Sequence, residues 1–146
     1  MGTISRFEAA SASLAEAYRK ASDDQRRRAV LAICLFAVEQ AGLQSREVDE
    51  ALALLRRDVP GSSDLQRNLR QLEAELDERY FELSEDTENI TPESLVMYRK
   101  ARAAAALAFA LSPNGEQLDE AIYEAIYASS DPDEATLAVE AMLRAK

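Results

Sequence analysis

Histidine and tryptophan are absent from the 146 residues, and cysteine occurs once. Each absence removes a class of chemistry. Without histidine there is no Ser-His-Asp triad, no Cys-His pair and no imidazole metal ligand. One cysteine cannot form an internal disulfide or a Cys-rich zinc site. Without tryptophan, the aromatic platforms that usually hold sugars are missing, which weighs against glycoside hydrolysis. Glycine and proline are scarce, at four each, so long helices meet few breaks.

What remains is the composition of a folded helical protein. Hydrophobic residues make up 47% and charged residues 30%, and the length suits one domain over 1–146. Alanine, leucine, glutamate and arginine are plentiful while β-branched residues are sparse, and no stretch reads as a strand. The start, MGTISRFEAASASLAEAYRK, breaks any signal-peptide core with Arg6 and Glu8. Arg6 also stands where a myristoylation signal wants Ser or Thr. The longest apolar runs, Ala29–Val38 and Ala103–Leu111, are about half of the roughly 20 residues that span a bilayer. They read as buried helices, and the expected location is the cytoplasm, away from the membrane. Cys34, between Ile33 and Leu35, reads as a small core residue and not as a reactive thiol.

The helix punctuation is clear. Ile4, Phe7, Leu14 and Tyr18 mark one stripe from Ile4 to Ala21. Ser22 and Gln25 form a capping box, Asp23 and Asp24 follow in the first turn, and Gly42 supplies a left-handed end after Ala41. The centre of this second helix is apolar all round, which predicts neighbours on every side. Ser45 caps a third helix to Arg57, and Pro60-Gly61 breaks the chain. A fourth, Ser63 to Leu83, carries the seam Leu65, Leu69, Leu72, Leu76, Tyr80 and Leu83. Ser84–Ile90 reads as an acidic loop. Thr91-Pro92-Glu93 opens a fifth helix, whose AAAALAFAL half allows close backbone approach, and Pro113-Asn114-Gly115 ends it. A sixth spans Glu116 to Ala128. Asp131-Pro132-Asp133-Glu134 starts a seventh, with Asp131 as cap and Glu134 as reciprocal acid, running to Arg144. The expected fold is all-α, a single compact bundle of six or seven helices, with the second and fifth at its centre.

The net charge of −10 is uneven. Residues 1–72 hold 10 acids and 11 bases; residues 73–93 hold 9 acids and one base; residues 94–103 add three bases; residues 104–146 hold 8 acids and two bases. The acidity therefore belongs to the fourth helix and its loop and to the last two helices. Such a field solubilises a surface and also attracts a basic partner. On the sixth helix, Leu118, Ala121, Ile122, Ala125 and Ile126 share one side, and Tyr123 and Tyr127 fall opposite with Glu116, Glu120 and Glu124. Tyrosines amid carboxylates suit an anchor for an Arg- or Lys-rich partner, through ring burial, cation–π contact and charge pairing. The competing reading lays both rings over neighbouring helices. Arg26-Arg27-Arg28 and Arg56-Arg57 read as partners for the acidic half and not as a nucleic-acid face, because the molecule is acidic.

Catalysis, if present, falls to carboxylates with a hard metal, as in a Mg²⁺-dependent nucleotide pyrophosphatase-like hydrolase. Candidate pairs three apart include Glu47/Glu50, Glu75/Glu78, Glu82/Glu85 and Glu116/Asp119. Six such pairs occur in all, against about five expected by chance, and no Gly-rich phosphate loop accompanies them. The sequence therefore favours a non-catalytic reading with no cofactor. A third option is a homo-oligomeric helical adaptor joined through the seam of the fourth helix.

The C-terminal third, YRKARAAAALAFAL followed by EAIYEAIYASSDPDEA, resembles in texture the small, acidic, all-helical bacterial immunity proteins of polymorphic toxin systems. The resemblance covers about residues 98–140. It implies a non-catalytic protein that neutralises a toxin by binding it, and it transfers no individual residue.

Overall fold

The computed structural model describes residues 11–59, 61–85, 91–112 and 116–145. Within them run seven helices and no strand: α1 Ala12–Lys20, α2 Asp23–Ala41, α3 Arg46–Arg56, α4 Ser63–Glu85, α5 Pro92–Ala110, α6 Leu118–Ala128 and α7 Pro132–Arg144. Ile4, Phe7, Pro60 and Pro113-Asn114-Gly115 lie outside the described residues, as does most of the expected acidic loop.

Side-chain caps set the helix starts by satisfying N–H groups that no helical carbonyl can reach. Ser11, Ser45 and Asp131 each accept from the N–H three residues on, and Ser62 does the same for α4 through Leu65. At α2 the box is complete: Gln25 N–H donates to Ser22 Oγ at 3.1 Å and Ser22 N–H to Gln25 Oε1 at 2.7 Å. At α5 the reciprocal partner of Thr91 is Ser94, with both bonds at 3.0 Å. Gly42 closes α2 at φ 68°, and Asp58 takes the same left-handed role after α3 at φ 52°. There the Val59 N–H returns to the Leu54 carbonyl, satisfying an end that proline and glycine alone do not explain.

The core lies where α5 meets α4, α6 and α2. Ala103 through Ala108 are all fully buried, because a side chain that stops at Cβ lets neighbouring backbones come close on several sides at once. α2 packs on α5, α6 and α7, and α1 on α7. The α2 expectation fails on one side. Phe36 is 43% exposed and Ala32 and Leu35 are only partly covered, so the neighbouring helices leave one flank of an all-apolar helix open. Over its first half the α4 seam packs into the bundle: Leu65 and Leu69 are buried, and Leu72 and Leu76 pack against the core. α4 also runs on to Glu85, two residues past the expected end, where the Ser84 hydroxyl bonds back to the Tyr80 carbonyl.

Gly61 has a use beyond breaking the chain. A Cβ there would stand 3.0 Å from Leu111, so its missing side chain lets the α3–α4 connection lie on the end of α5. No helix among the described residues is long and apolar enough to cross a membrane.

Candidate protein-binding surface

The inward side of α6 is as the periodicity implies, with Leu118, Ala121, Ile122, Ala125 and Ile126 all buried. The opposite side divides. Tyr123 and Tyr127 stand together with ring centroids 4.9 Å apart, but both are half-buried against the core. They line a small cleft with Leu14 of α1 and Pro132 and Thr136 of α7. Glu116 is exposed and Glu120 partly so. Glu124 leaves the group altogether. It is 3% exposed, and Arg102 of α5 donates to its Oε2 at 2.8 Å. The flank of α6 that bears Glu124 is the one α5 packs against, so this carboxylate is a structural counter-ion and not part of an accessible patch.

Arg102 gathers two further acids from α4: Asp77 at 3.0 Å and Glu73 at 3.5 Å. The Tyr98 ring lies 5.7 Å from the guanidinium carbon. Three carboxylates thus share one guanidinium, and the Arg102 Nε is buried with no acceptor among the described residues. Burial opposes the Arg102 charge, but the fields of Glu124 and Asp77 outweigh it and raise its pKa. Burial pushes the Glu73 carboxyl above its ordinary value, since Arg102 compensates only in part. Burial likewise raises the Tyr98 phenol. Chemically this arrangement is a clamp that ties α4, α5 and α6. It leaves no open coordination: among the described residues no cluster of acids or cysteine is arranged to hold a metal ion.

An accessible negative surface lies on α4. Glu75, Glu78 and Glu82 follow a spacing of three and four and are all exposed, so they form one stripe. Phe81 lies to one side of this stripe, one turn from Glu78, and is 61% exposed. Neither Glu78 nor Glu82 has a counter-ion among the described residues; Glu75 accepts only a long bond from Gln71. Phe81 is backed by rings, edge-on to Tyr80 at 5.4 Å, which in turn meets Tyr98 at 5.7 Å. A large apolar side chain held by neighbours at the edge of an acidic stripe is the arrangement expected on α6. The signals were present: the nine acids of residues 73–93, and a phenylalanine off the leucine seam.

The arginines of α2 are paired, though with near neighbours and not with the acidic half. Arg27 meets Asp23 and Asp58, Arg28 meets Asp24, and Arg26 covers the Tyr18 ring at 4.3 Å while donating to the Tyr18 and Arg19 carbonyls. Comparison of the chain with family models, with curated proteins and with solved structures returns no match.

Proposed function

We propose that this chain is a non-catalytic protein-binding module for a partner with a basic surface, in its most concrete form an immunity-type inhibitor that masks a basic effector such as a nuclease toxin. The observation that carries the reading is Phe81, 61% exposed beside the stripe of Glu75, Glu78 and Glu82. An exposed aromatic is costly to keep in water and becomes favourable once a partner covers it. Carboxylates beside it steer an approaching cation and then pair with it. The acids of α4 supply the long-range field, Phe81 supplies the desolvated anchor, and blocking of the partner is steric and electrostatic. Glu116 and Glu120, with Tyr123 and Tyr127, form a flanking contact on α6; Glu124 holds Arg102 instead.

The test is calorimetry with the partner captured from the source cell. Phe81→Ala should weaken binding at least about tenfold, as loss of a hot-spot aromatic does, with an unchanged helical circular-dichroism spectrum. Tyr123→Ala/Tyr127→Ala should cost less. A partner without a basic surface, or full affinity in Phe81→Ala, would remove α4 as the binding face.

A further inference from the structure

The uncovered flank of α2 forms a groove with α7. Its floor is Ala32 and Ile33 of α2 with Ala135, Ala138 and Met142 of α7, and Phe36 makes one wall. This part encloses about 470 Å³ and runs on past Met142 to Ala29. Polar contacts between the two helices bound both ends: Ser130 Oγ donates to Gln40 Oε1 at 2.9 Å, and the Gln25 amide donates to the Ala145 carbonyl. From Ala29 to Gln40 the groove is about three helical turns, or 16 Å, long. Around the 470 Å³ cleft the formal charges are Asp131 and Glu134; Arg28, ion-paired with Asp24, lines the continuation at the other end. Asp131 Oδ1 takes the Glu134 N–H as a cap, but neither carboxylate has a cationic partner among the described residues.

We propose that this groove is a second docking site, and that its occupant is an amphipathic helix of a protein partner carrying Lys or Arg at the end that meets Asp131 and Glu134. Three features select that occupant. An apolar trough between two antiparallel helices matches the ridge of a third helix, read as anchors at i, i+3 or i+4 and i+7. The small floor residues admit bulky anchors. The charge at one end is negative, with no cationic side chain paired to it, so a helix with a cationic end fits and an acidic one is repelled.

A displayed library of helical peptides, selected on the full chain and counter-selected on Ala138→Trp, tests this. Ala138 is exposed, so tryptophan there fills the trough without entering the core. The expected peptides carry helical apolar spacing with Lys or Arg at one end. Their affinity should fall more than tenfold in Ala138→Trp, fall severalfold in Glu134→Lys, and stay unchanged in Phe81→Ala, which separates this site from the α4 face. Absence of enriched peptides that discriminate the two baits, or enrichment of peptides indifferent to Glu134→Lys, would overturn the proposal. So would a dimer in sedimentation that Ala138→Trp dissociates, since it would give the groove to a second copy.

Discussion

Arg102 shows how one residue reassigns several others. In the sequence, Glu124 has the same helical setting as Glu116 and Glu120, and nothing local sets it apart. Its burial is decided by a guanidinium that approaches from α5. Removing that guanidinium strands a buried carboxylate, so Arg102→Met should cost about 3 kcal/mol in urea unfolding, and Arg102→Met/Glu124→Gln should recover part of the loss. Glu73 has a raised pKa from burial, so the folded state holds its proton more tightly than the unfolded chain does. Its effect on stability is therefore most favourable below the ordinary value of 4.5 and declines as pH rises through the raised value. Glu73→Gln should stabilise the protein at pH 7 and lose that advantage below about pH 4.5, as thermal melts across pH would show. Cys34 behaves as its apolar neighbours imply. It is fully buried and its thiol is pushed up to about 12, so a thiol reagent at pH 8 should label it only at the rate of unfolding.

At the scale of elements, the starts of α2, α3, α5 and α7 were legible because a cap is a local device, whereas Ser11 caps α1 inside the helix expected from Ile4, and α6 begins at Leu118, two residues after the expected Glu116, with no side-chain cap. Ser22 with Gln25, Ser45, Thr91 and Asp131 each act within three residues of themselves, so sequence proximity carries the information. The other helix ends were less so. α4 passes Leu83 by two residues, into a stretch whose polar, acidic composition reads as loop, and α3 ends on Asp58 in a conformation that asparagine or glycine advertises better. The alanine run of α5 was legible as a close-packing surface, and its complete burial makes it sensitive to volume. Ala105→Leu should cost about 1–3 kcal/mol by overpacking, whereas Ala53→Leu, on the exposed face of α3, should be within about 0.5 kcal/mol of the parent. Comparison of melting temperatures would check both. The flank of α2 was not legible, because apolar periodicity says that a face wants covering and says nothing about whether the chain has a helix left to cover it.

For the whole molecule, the charge is the informative quantity. The net charge of −10 is concentrated after residue 72, and folding divides that excess between uses. Glu73, Asp77 and Glu124 are consumed by Arg102, while Glu75, Glu78 and Glu82 remain exposed. If the α4 stripe steers a basic partner, raising salt from 50 to 500 mM should lower the association rate at least tenfold while changing dissociation little, measurable by stopped flow. Charge reversal at Glu78 and Glu82 to Lys should reproduce that loss at low salt. The sequence by itself determined the helical class, the caps of α2, α3, α5 and α7, the alanine core helix and the map of negative charge, since all four depend on neighbours within a few residues or on simple counting. Tertiary structure decided which acids are buried, which aromatic is exposed and which side of α2 stays open. Those outcomes depend on what packs alongside from distant parts of the chain, and a helix's own periodicity carries no record of it.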